Sequence, residues 1–174
     1  KQKYDLVRSY QDKFIAKLLL ITLRYNNVLY CMNNETHADP AWGQYWMKFI
    51  EGKASAQDKS VSTTDMFDDV FRAESSRKLN YQLSNRGKYD YIDVSQANSR
   101  HADQAHWSKI KWIADAARNM DPPYLLHMTK IYGNDIALDG KPWSRFKPGD
   151  TDNGIEEWWR NLLVGVAGVR FHRP

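Results

Sequence analysis

A chain of 174 residues, 42% of them hydrophobic, is long enough for one domain around a buried core. Its one cysteine excludes an internal disulfide, and no apolar run approaches the ~20 residues that span a bilayer; "FIAKLLLITL" is short and broken by Lys17. The formal charge of +4 comes from Lys and Arg interspersed with acids, without the basic stripe of a nucleic-acid binder, so neither nucleic acid nor membrane is expected as a partner.

Residues 4 to 24 read as a helix, with Val7, Tyr10, Phe14, Leu18 and Ile21 at three- and four-residue steps. "NVLYCM" (27 to 32) is a short apolar run, consistent with a strand buried on both faces, and Cys31 within it is expected to be a buried thiol. Asp39-Pro40 supplies an N-cap and a first-turn proline for a helix whose apolar face is Trp42, Tyr45, Trp46, Phe49 and Ile50. "SVSTTDMF" (60 to 67) is a β-branched strand, followed by a partly helical polar segment up to Ser84. "YDYIDVSQ" (89 to 96) reads as a strand, residues 101 to 119 as a helix, and "PYLLHMTKIYG" (123 to 133) as a strand released by Asp121-Pro122-Pro123. A Gly/Pro/Asp-rich loop leads to "IEEWWRNLLVGVA", where Ile155, Trp158, Trp159, Leu162, Leu163 and Val166 are expected to be the buried stripe, and "GVRFHRP" reads as a last strand.

The order is a helix, four strand-helix units and a strand. Such alternation predicts an α/β fold with a parallel sheet of about five strands covered by helices. An open doubly wound sheet and a part of an eight-stranded (β/α)8 barrel both satisfy it. Neither GxGxxG nor GxxxxGK[ST] follows any strand, which counts against a nucleotide-binding open sheet, and no cofactor is expected. Polar residues crowd the predicted strand ends. They are Asn33, Asn34 and Glu35; Thr64 and Asp65; Ser95, Gln96 and Asn98; His127, Thr129 and Lys130; and His172 and Arg173. In a barrel these ends share one mouth, where active sites lie. Seven Trp and ten Tyr suit either a core or a surface that stacks flat rings on sugars.

The strand "NVLYCMNNE" ending in Asn34-Glu35, the helix "WGQYWMKFI", the strand "YDYIDVSQ" and the tail "WWRNLLVGVAGVRFHRP" resemble the second part of a retaining (β/α)8 glycoside hydrolase, of the apiosidase-like type. The resemblance covers most of the chain, though its hardest motif is two residues long. It implies a TIM-type barrel of which this chain supplies about strands four to eight. Residues 1 to 174 would then be the C-terminal part of one catalytic barrel. Lys1 in place of Met, and the absence of a signal-peptide layout, fit the expectation of a processed or excised piece. The remaining strands, one to three, would come from the same or another chain, and the resemblance implies a secreted or periplasmic carbohydrate-degrading enzyme.

By the same resemblance Glu35 is the general acid/base that protonates the glycosidic oxygen, and Asn34 donates to a sugar hydroxyl. The acid's task calls for a carboxyl whose pKa is raised toward neutrality. The departure is at strand seven, where "LLHMTKIYG" has no glutamate. Asp135 is the nearest carboxylate and the candidate second catalytic residue, with Asp65 and Asp93 as others. Two further readings stay open: the second carboxylate lies outside the chain, or hydrolysis is lost and only sugar binding kept. Asn33, Asn34, Asp65, Gln96, His127, Lys130, His172 and Arg173 are the expected substrate-binding residues. Convergence of His127, Lys130, His172 and Arg173 on Glu35 would favour a substrate bearing carboxylate or sulfate. No metal site is expected: His101 and His106 are five apart, off the i, i+4 spacing of a zinc helix, and "KPGDTDNG" lacks the regular acid spacing of a calcium loop.

Overall fold

The computed structural model describes residues 2–97, 104–132 and 151–173. Helix α1 (Gln2–Thr22) leads into β1 (Leu29–Cys31), α2 (Pro40–Ser55) and β2 (Ser62–Thr64). The 3-10 segment Asp68–Ser75 and α3 (Arg77–Leu83) precede β3 (Tyr91–Asp93), then come α4 (Gln104–Arg118), β4 (Leu125–Tyr132), α5 (Thr151–Leu163) and β5 (Gly168–Arg173). Local chemistry sets these boundaries. Asp39 caps α2 by accepting from Ala41 N at 2.8 Å, with Pro40 in the first turn, and Ser76 caps α3 through Leu79 N at 2.9 Å.

All the strand pairs are parallel, as the alternation predicts. They form a two-stranded sheet, β1-β2, and a three-stranded sheet in the order β3-β4-β5. This overturns the expectation of an eight-stranded barrel: the described residues make a small mixed α/β fold with two short parallel sheets. Alternation of strands and helices specifies parallel neighbours and is silent about closure. The ladder breaks between β2 and β3, where one backbone bond, Asp90 N to Thr63 O at 3.0 Å, is joined by side-chain bonds. The Thr64 hydroxyl donates to Tyr91 O at 2.6 Å, and the Asp90 carboxylate accepts from Thr63 N at 2.8 Å.

The main core lies on the helix-covered side, where Ile92 and Met128 meet Phe67, Val70 and Leu79 and, from α4, Ile110 and Ile113. Burying each such side chain contributes about 1.5–3 kcal/mol. A smaller cluster, Leu19, Leu23, Ile50 and Ala54, joins α1 to α2.

Two helices turn faces other than the expected ones inward. In α1 the line that packs is Ile15, Leu19 and Leu23, and the stripe Val7, Tyr10, Phe14, Leu18 and Ile21 is exposed. In α5, Ile155, Trp159, Leu162 and Leu163 are exposed, while Glu157 and Asn161 point inward with Val164. Glu157 Oε1 lies 3.4 Å from Nε2 of the fully buried His106 on α4. Of the expected stripe, Trp158 packs against the main core and Val166 lies within it. Cys31 is also exposed, against the expectation of a buried thiol, with its Sγ 3.1 Å from Asn33 O.

Candidate functional site

The strands turn alternate side chains to opposite faces. Leu126 and Met128 enter the core, and His127 and Thr129 stand on the other face. There the Asp93 carboxylate accepts from Ser95 N at 2.9 Å, and its other oxygen lies 3.8 Å from His127 Nδ1. His127 sits over Gly168, where a Cβ would come within 2.5 Å of its Cδ2, so this strand start admits only glycine without moving the ring. The Ser95 and Thr129 hydroxyls share a hydrogen bond of 2.8 Å, and Thr129 N donates to Ser95 Oγ at 2.8 Å.

Two backbone irregularities shape the upper part of the site. Beyond β1 the chain bonds to the neighbouring segment through Met32 N and again through Thr36 N, leaving Asn33, Asn34 and Glu35 as an excursion between them. Glu35 takes a left-handed φ of 53°, uncommon for a residue other than glycine. Along β4 the register with β5 shifts between Met128 and Ile131, a bulge of the kind that re-aims a side chain. The residue re-aimed is Lys130. Its Nζ donates to Asn34 Oδ1 at 2.8 Å and to the Glu35 carboxylate.

The Lys130 side chain is 7% exposed and that of Glu35 is 43% exposed, so a buried cation faces a carboxylate on the rim. The hydrogen bond from Lys130 is the chief cause that holds the Glu35 carboxyl below its usual range; burial opposes it, and the Lys130 charge, a Gln96 hydrogen bond and the His172 charge act with it. This is the reverse of the raised pKa required of a general acid. Asn33 turns away from Glu35 and donates to Asp65 Oδ1 at 2.6 Å. Asp65 is fully buried and its carboxyl is pushed up to about 6, mainly by burial, with the Asn33 bond and the Lys78 charge opposing.

Of the expected site residues, Asn34, Glu35, Gln96, Lys130 and His172 come together. Asn33 and Asp65 form a separate pair beneath, and His127 turns to Asp93. Arg173 ends β5 opposite Tyr132, its side chain outside what is described, and Asp135 lies outside the described residues. Among the described residues no His/Cys/Asp/Glu group is arranged to hold a metal ion. Sequence reasoning missed the Ser95–Thr129 pair and the two glycine seats, Gly43 against Asp65 and Gly168 under His127. A glycine in mid-helix, as in "AWGQYW", was the available signal for the first. No family model matches the sequence, and no curated protein or solved structure is found to be similar to it.

Proposed function

We propose that this chain handles a glycan at the strand ends and that Glu35 is the reacting carboxylate of a glycoside hydrolase acting on an oligo- or polysaccharide. The observation that supports this reading is the placement of Glu35: on a strand end, exposed, in a left-handed backbone, and held by Lys130 with Gln96 beside it. Asn34 and Gln96 carry amides suited to sugar hydroxyls. Glu35 is ionised in the ligand-free site, ready to act as nucleophile or base; service as an acid requires that Lys130 let go first.

One observation favours binding without turnover. Asp65 and Asp93, the other candidate carboxylates of the described residues, are 0% and 3% exposed. The experiment is reducing-sugar release and binding measured on one panel of neutral and acidic polysaccharides. Hydrolysis that falls by roughly 10²–10⁴ in Glu35→Gln, with binding retained, supports catalysis. Binding with no release by the wild type supports the second reading, and full activity in Glu35→Gln removes Glu35 from the chemistry.

A further inference from the structure

We propose that two copies of this chain pair about a twofold axis, the β1 edge and α1 of each docking on the β5 edge and α5 of the other. The proposal is independent of the glycan reading.

Among the described residues the strand order leaves an unpaired edge at each end, β1 at one and β5 at the other, with every pair parallel. Met32 N donates to Thr64 O, so Tyr30 and Met32 bond to β2, and alternation turns the backbone groups of Leu29 and Cys31 to the open edge. Such an edge is a template for another strand. Its surroundings are apolar: Phe14 and Leu18 of α1, Leu29 of β1, and Trp42 and Trp46 of α2 line a groove of about 490 Å³. Met32 packs against both core clusters, which places α1 on the same face as the other helices.

The helix beside each edge carries an exposed apolar stripe. On α1 it is Tyr10, Phe14, Leu18 and Ile21, and on α5 it is Ile155, Trp159, Leu162 and Leu163, all of them 36% to 74% exposed. For side chains of this size the two stripes present roughly 800 Å² per copy, the share of one partner in a stable, specific interface.

The occupant that fits is a second copy, because the two ends complement each other. Exposed Lys13 and Lys17 flank the α1 stripe, and exposed Asp152 and Glu156 flank the α5 stripe, each pair within about the last three turns of its helix. The whole helices agree in sign. Lys3, Arg8, Lys13 and Lys17 against Asp5 and Asp12 make α1 net +2, and Arg160 against Asp152, Glu156 and Glu157 makes α5 net −2. Every copy carries both ends, so half a turn about one axis covers both edges of both copies and the pair closes.

The test is sedimentation velocity of the chain from about 1 to 100 μM. A species of twice the chain's mass is expected, within the micromolar-or-tighter range of interfaces this size. Phe14→Asp and Trp159→Asp lie on exposed positions, and each places a charge in both contacts of its own pair. Each should raise the dissociation constant at least roughly a hundredfold while leaving the unfolding temperature near that of the wild type. Mixing the two variants should restore part of the pairing, because the mixed pair keeps one contact of wild-type α1 on wild-type α5. A wild type that stays monomeric at about 100 μM overturns the proposal, and the wild type alone decides that. An open series of larger species overturns the twofold closure, and a mixture no tighter than either variant overturns the matching of α1 to α5.

Discussion

Replacing Asp65 by Asn changes one buried charge with little change in shape, and the burial of Asp65 sets the size of the effect. Its Oδ1 accepts from Asn33 at 2.6 Å, its Oδ2 has no partner among the described residues, and that oxygen is pressed against Gly43. Burial raises the carboxyl from an ordinary 3.8 to about 6. A carboxyl whose folded pKa lies above its unfolded one contributes stability below the unfolded value and loses it as pH rises through the folded value. A gap of about two units is worth about 3 kcal/mol over the full range, of which about 2 kcal/mol falls between pH 4.5 and 8. Asn carries no such dependence. Its amide adds a donor where Oδ2 had no partner, a penalty of about 1–3 kcal/mol that is the same at every pH. The expected result is therefore a slope. In urea denaturation across this range, Asp65→Asn should gain about 2 kcal/mol on the wild type as pH rises from 4.5 to 8. Parallel profiles, offset but not diverging, would refute the assignment of a neutral buried carboxyl.

His106 runs the other way. Burial first, then the Arg160 and Lys109 charges, lower it to about 4, so its stability is present above its ordinary pKa of 6.5 and fades as pH falls toward 4; wild type should lose about 2 kcal/mol relative to His106→Asn between pH 7 and 5 in the same assay. Gly43→Ala puts a methyl group into the Asp65 carboxylate and should cost at least about 3 kcal/mol, the upper end for overpacking, in thermal or urea unfolding. Leu19 is 2% exposed and Leu18 is 42% exposed, so Leu19→Ala should cost about 2–5 kcal/mol and Leu18→Ala well under half of that, an order the apolar spacing of α1 alone would have reversed.

Those last two residues show what the sequence made legible. Apolar recurrence at three and four residues located α1, and short apolar or β-branched runs between breakers located the described strands, because both patterns follow from backbone geometry. Which face of a helix meets the core depends on the neighbour, and α1 carries two apolar lines: Ile15, Leu19 and Leu23 pack on α2, and the longer, more apolar line does not. In α5 the inward line is Glu157 and Asn161, legible only with His106 in view. The barrel expectation failed because alternation specifies parallel neighbours and says nothing of closure; β2 and β3 meet through one backbone bond, Asp90 N to Thr63 O, and through the Thr64 and Asp90 side chains.

The meeting of Glu35 and Lys130, 95 residues apart, was half legible. Both stood at predicted strand ends, where parallel strands gather polar side chains at one edge. Their pairing depends on two irregularities that periodicity does not signal, the left-handed Glu35 and the bulge in β4. Stability gives little reason for either. A left-handed glutamate costs of order 1–3 kcal/mol, the bulge gives up regular pairing with β5, and an ion pair with one partly exposed member returns about 1 kcal/mol or less. Both distortions converge on one carboxylate and one buried ammonium, which the Asn34 amide oxygen also holds.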